Sequence, residues 1–117
     1  MMLMPDAYIR IRISSKNMVS EYRIYWTSEA VRNLEAILDY LGSEWTQREV
    51  DNFKIKLKKQ LRFIEINPKL FPVSFANPRL RRAVLSRQTT IFYEFTNQRI
   101  YLIYLFNNYK SRDILKD

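Results

Sequence analysis

RLRRAVLSRQTTIFYEFTNQRIYLIYLFNNYKSR, running from Arg79 to Arg112, decides how the chain folds. Three runs within it, Leu80–Leu85, Thr90–Phe95 and Ile100–Phe106, are rich in β-branched and aromatic residues and read as strands. Ser86-Arg87-Gln88 and Thr96-Asn97-Gln98 separate them, connections short enough for antiparallel hairpins. Neither connection contains glycine, so the turn types are not legible. Strict alternation in the last run sends Ile100, Leu102, Tyr104 and Phe106 to one face and Tyr101, Ile103 and Leu105 to the other. Apolar residues on both faces imply that both are covered.

Outward from that meander, the upstream half supplies one cover. Glu21–Trp26 (EYRIYW) reads as a first strand. Thr27 or Ser28 can then cap a helix, and Ala30, Leu34, Ile37, Leu38 and Leu41 recur at helical spacing. Gly42 is the expected C-terminal stop of this helix, which spans about Ser28–Leu41. Thr46-Gln47-Arg48-Glu49 matches a capping box. It opens a second helix with an apolar stripe of Val50, Phe53, Leu57, Leu61 and Ile64, ending near Asn67 before Pro68. The short link between the helices makes them an antiparallel hairpin that needs a sheet to bury its joined stripes. Pro68–Pro78 is a proline-punctuated connector with Phe71 and Phe75 as expected anchors. The second sheet face is left to a partner chain, or to the connector together with the N-terminal arm.

That arm, Met1–Ser20, alternates Tyr8, Ile9, Ile11 and Ile13 with Arg10 and Arg12, the pattern of a short edge strand or a frayed arm. It has no apolar signal-peptide region, and Met18 stands just before the first strand as an alternative start. The expected organisation is an N-terminal extension over residues 1–20 and one α+β domain over residues 21–116.

Composition narrows the chemistry. A chain of 117 residues carrying 47% hydrophobic and 27% charged residues fits one globular domain. Its net charge of +8, concentrated in the meander and the second helix, favours a polyanionic partner. Histidine and cysteine are both absent, which excludes disulfides, thiol nucleophiles, Ser-His-Asp triads and His/Cys zinc sites. Gly42 is the only glycine, so no Walker A loop exists. Ile100–Phe106, the longest strongly apolar run, is too short to span a bilayer. No cofactor or metal is expected, and the expected compartment is the cytoplasm.

Arginine, lysine, tyrosine and carboxylates remain for a site. Arg81, Arg82 and Arg87 on or beside the sheet, with Lys110 and Arg112 after it, are candidate phosphate or target contacts, because guanidinium forks bind phosphate bidentately. Tyr109 and Arg81 are the candidate catalytic pair if the protein cleaves RNA by attack of a ribose 2′-OH without a metal. For any one arginine, pairing with Glu94, Asp113 or a helix carboxylate is the plainer role. Glu94 has no evident partner in the sequence, and the lysines of the second helix read first as a solvated face.

YRIYWTSEAVRNLEAILDYL, INPKLFP, LRRAVLSRQTTIFYEF and IYLIYLFNNYKSRDILK, in this order and spacing, resemble the RelE/ParE superfamily of type II toxin–antitoxin toxins, of the plasmid-stabilisation type. The resemblance covers about Glu21–Lys116. It implies a small α+β toxin with a helical hairpin and a three-stranded antiparallel meander. It also implies a cognate antitoxin lying over the helices or the open sheet, in a toxin–antitoxin hetero-oligomer. RelE-like members cleave mRNA in the ribosome, whereas ParE-like members block DNA gyrase. Here Arg81 matches the basic residue opening the second strand, and Tyr109 and Lys110 occupy the usual arginine-glutamine positions of the ending. Ser111-Arg112 replaces the usual aspartate-proline, and no histidine is available for the terminal role. The expectation is therefore a ParE-like gyrase inhibitor. The alternatives are a ribosome-dependent mRNA endonuclease and a non-toxic basic nucleic-acid-binding module.

Overall fold

The computed structural model of the chain describes residues 22–108. The arm Tyr8–Ile13 and the ending that carries Tyr109, Lys110 and Arg112 lie outside the described residues. In order, the elements are β1 (Arg23–Trp26), α1 (Ser28–Glu44), α2 (Gln47–Ile66), β2 (Arg81–Val84), β3 (Thr89–Thr96) and β4 (Arg99–Asn107). The sheet order is β1-β4-β3-β2, with β2, β3 and β4 an antiparallel meander and β1 added parallel to β4. The expected α+β architecture is present, and the sheet as a whole is mixed.

Thr27 explains how a four-residue strand is held at that position. Its N–H donates to the Leu102 carbonyl at 3.2 Å. Its hydroxyl donates to the Leu102 and Ile103 carbonyls at 2.8 and 3.0 Å and accepts from the Ala30 N–H at 3.2 Å. One buried side chain thus ends β1, caps α1 and ties both to β4. Beyond the end of β1, where β4 has no parallel neighbour among the described residues, Asn33 Oδ1 of α1 accepts the Leu105 N–H at 2.9 Å. Asn33 is oriented for this by donating to Glu29 at 2.9 Å.

The helices cover one face of the sheet. Trp26, Ile37, Leu41, Ile64, Ile91, Tyr93, Ile100 and Leu102 are fully buried between the layers. The capping box of α2 is formed as the sequence requires, with Thr46 and Glu49 each accepting the other's backbone N–H. Gly42, however, does not stop α1. The helix continues to Glu44, and Trp45 closes it by donating its N–H to Leu41 O at 2.8 Å. Packing of Leu41 and Trp45 against the core outweighs the roughly 1 kcal/mol helix penalty of one glycine.

Two local features of the meander override the simple alternation. Phe92 pairs with Tyr104 but Tyr93 pairs with Leu102, so Ile103 is an extra residue, a β-bulge in β4. The phase therefore reverses along the strand. Leu105, opposite Ile91, enters the core, whereas Phe106 is 52% exposed and Tyr104 joins Tyr101 on the outer face. The expected grouping of Tyr104 and Phe106 with Ile100 and Leu102 is corrected by that one residue. At the β3–β4 turn, Asn97 and Gln98 take φ of 51° and 64°, the two positive values of a two-residue hairpin whose twist matches its strands.

The connector shields the outer edge of β2. Ser74 N–H donates to Leu80 O at 2.8 Å, Arg82 N–H donates to Pro72 O at 2.9 Å, and Val73 bridges Arg81. Phe71 packs edge-on against Tyr93, with ring centroids 6.4 Å apart, and serves as the expected anchor. Phe75 does not, being 94% exposed. Among the described residues no helix is long and apolar enough to cross a membrane.

Candidate binding face of the sheet

The sheet face away from the helices is built by the residues that alternate with the core. Arg23 and Tyr25 of β1 stand in register with Arg99 and Tyr101 of β4, and Phe92 of β3 stands opposite Tyr104. Register turns into stacking. Tyr25 and Tyr101 lie 5.7 Å apart between centroids, and Phe92 and Tyr104 lie 4.7 Å apart at 18°. The Arg99 guanidinium sits 6.0 Å from the Tyr25 ring centroid, and its Nη1 donates to the Tyr101 hydroxyl at 3.5 Å. The face therefore presents paired rings flanked by cations.

Beside the rings lies an open cleft of about 410 Å³, lined by Arg79, Glu94, Thr96, Tyr101, Ile103 and Tyr104 among others. Arg79 Nη2 contacts Glu94 Oε2 at 3.4 Å across it. Glu94, without an evident partner in the sequence, thus has one in the fold. The pair is partly solvated and adds little stability, so an incoming charged group can replace either member at low cost.

Arg81, Arg82 and Arg87 are not brought to one place. Arg81 faces the helix side, in register with buried Tyr93, and its Nη1 donates to the Phe71 carbonyl at 2.7 Å and weakly to Lys69 O at 3.5 Å. Its guanidinium holds the connector. Arg82, one residue on, turns to the opposite face beside Phe92. Arg87 is exposed in the β2–β3 loop. The aromatic pairs and Arg99, by contrast, do converge. In the sequence their only signal is the alternation of β4, because the parallel placement of β1 that completes them is a tertiary choice.

The acid–base inventory of this region is poor. Tyr93 is buried, its hydroxyl donates to Pro68 O at 2.7 Å, and burial pushes its pKa up to about 12, only partly offset by the nearby Arg81 charge. Glu65 of α2 is raised by burial and lowered in part by Arg62. Among the described residues no cluster of three acidic, histidine or cysteine side chains is placed to hold a metal ion. Stacking, cation–π contact and salt bridging are what this surface offers.

A strand, a helical hairpin and a three-stranded meander, with the first strand parallel to the last, define the fold class of RelE/ParE-like proteins. Residues 24–108 match the family model described as the ParE toxin of the type II toxin–antitoxin system, parDE. The chain therefore belongs to the ParE toxin family of type II toxin–antitoxin systems, a membership that implies a cognate antitoxin. Among solved structures, the fold is similar to a chain of the chromosomal ParDE system from P. aeruginosa, with a TM-score of 0.62 and 14% identity, covering 78% of this chain and 98% of that one. It is also similar to YafQ from E. coli strain BL21(DE3), with a TM-score of 0.52 and 13% identity over 78% of this chain and 98% of that one. Among curated proteins, no sequence match was found.

Proposed function

We propose that this toxin arrests growth by blocking DNA gyrase, and that its antitoxin neutralises it by covering the open face of the sheet. The family match over residues 24–108 carries the reading. The chemistry of the chain supports it. With no histidine or cysteine to move a proton near neutral pH, with Tyr93 buried and raised, and with Arg81 engaged by the connector, the described surface is suited to holding a partner rather than cleaving a bond. Tyr25, Tyr101, Phe92 and Tyr104 give that partner rigid aromatic contact area, and Arg23 and Arg99 favour an acidic one.

The test uses purified toxin in two assays. Added to gyrase and relaxed plasmid, it is expected to inhibit supercoiling. Added to a translating extract, it is expected to leave mRNA intact. Codon-spaced mRNA cleavage with normal supercoiling would replace this reading with a ribosome-dependent endonuclease, in which Arg81, Arg82, Arg87, Lys110 and Arg112 bind phosphate and Tyr109 stands near the 2′-OH. Salt-sensitive nucleic-acid binding with neither effect would make the protein a non-toxic binding module.

A further inference from the structure

Between residues 67 and 108 the chain carries a single carboxylate, Glu94, against Lys69, Arg79, Arg81, Arg82, Arg87 and Arg99. β3 sets it opposite Tyr101 of β4, on the open face that Arg23 and Arg99 make positive. There it lines the cleft of about 410 Å³, with Leu80 and Ile103 as apolar lining and Tyr101 and Tyr104 as aromatic lining. The chain's own Arg79 shows what this cleft attracts. Its guanidinium meets Glu94 at 3.4 Å, longer than the roughly 2.7–2.9 Å of a well-seated charged pair. The Arg79 side chain is 76% exposed and that of Glu94 25%, so the carboxylate belongs to the cleft and the guanidinium leans in from its rim. A loose, solvated occupant of that kind is easily exchanged.

We propose that the cleft receives one arginine side chain of the antitoxin, which displaces Arg79 and pairs with Glu94. This rests on the reading that the antitoxin covers the open face, and it names how one of its side chains is recognised there. The lining selects the occupant. Leu80 and Ile103 suit an aliphatic stem, Tyr101 and Tyr104 supply rings for a guanidinium to lie against, and Glu94 accepts its fork. A carboxylate or phosphate entering the same cleft meets Glu94 and is repelled. Arg23 and Arg99 attract an acidic partner, so a lone arginine within that partner fits over Glu94 and fixes the register of docking.

Two measurements on the full chain test it. Titration with N-acetyl-arginine amide should saturably shift the Ile103 methyl and the Tyr101 and Tyr104 ring resonances, whereas N-acetyl-aspartate amide should not. Glu94→Gln should abolish the response, and Arg79→Ala should lower the apparent Kd by about threefold by removing the internal competitor. Against the cognate antitoxin, Glu94→Gln should weaken binding by roughly 30-fold, and Arg79→Ala should again tighten it. The opposite signs carry the test, because a merely structural ion pair makes both variants fall together. An aspartate-selective cleft, with Arg79→Ala weakening the antitoxin and Glu94→Gln tightening it, would overturn the proposal. So would the absence of saturable shifts. Phe92→Ala separates this inference from the reading beneath it. If Phe92→Ala weakens the antitoxin while the Glu94 and Arg79 variants leave its affinity unchanged, only the arginine cleft falls. If all three leave it unchanged, the antitoxin does not cover this face and both fall.

Discussion

Replacing Arg81 with methionine separates a residue that holds the fold from one that contacts a target. The Met side chain keeps an apolar stem at the position in register with Tyr93 but loses the 2.7 Å bond to the Phe71 carbonyl. A hydrogen bond from a charged donor contributes about 1.5–3 kcal/mol, and because the site is only part-buried the freed carbonyl can rehydrate, which favours the lower half of that range. The expected loss is therefore about 2 kcal/mol. In urea, with a slope on the order of 2 kcal/mol per molar, the unfolding midpoint should fall by about 1 M at unchanged slope. Arg81→Lys keeps one donor on a flexible stem and should recover part of the loss. Supercoiling inhibition, normalised to folded protein, should survive in both variants. An unchanged midpoint together with lost inhibition would refute the reasoning and move Arg81 to the target interface.

Three further outcomes are expected. Thr27→Val removes the cap of α1 and the hydroxyl bonds to β4 while keeping the side-chain shape, and should cost about 2–3 kcal/mol, with Thr27→Ser costing less than half of that by the same urea titration. Gly42→Ala should stabilise by about 1 kcal/mol, since Gly42 lies within α1 and an added Cβ meets nothing within 4 Å; a calorimetric Tm that falls instead would show that α1 is strained there. Tyr93 should make the fold sensitive to alkali. Its folded pKa of about 12 exceeds the ordinary 10.0, so its contribution is fully present below pH 10 and is lost as pH rises from 10 through 12. Tyr93→Phe should flatten that part of the stability–pH curve relative to the native protein.

Much of the fold is legible because it is local. Thr46 and Glu49 announce α2, the stripe from Val50 to Ile64 names its buried side, and the connector prolines mark where it ends. The meander shows itself through three β-rich runs and two short connections. The candidate site was less legible. Arg81 and Arg82 look equivalent in sequence, but strand alternation places one guanidinium under the connector and the other on the open face. Phe71 and Phe75 look like equal anchors, yet Phe71 packs against the Tyr93 ring while Phe75 is exposed. Glu94 gains its partner from a neighbouring loop, through contact with Arg79.

The sequence by itself determined the helical hairpin, the meander and the absence of histidine and cysteine chemistry, because periodicity, caps and composition act over a few residues. Tertiary structure decided where β1 lies, since Thr27 reaches β4 across 75 residues of chain and no local signal specifies that contact. It also decided which aromatic residues share the open face. One extra residue in β4, Ile103, reverses the inward and outward phase of everything after it. Alternation in the sequence cannot show a bulge, because the bulge exists only in the register between two strands.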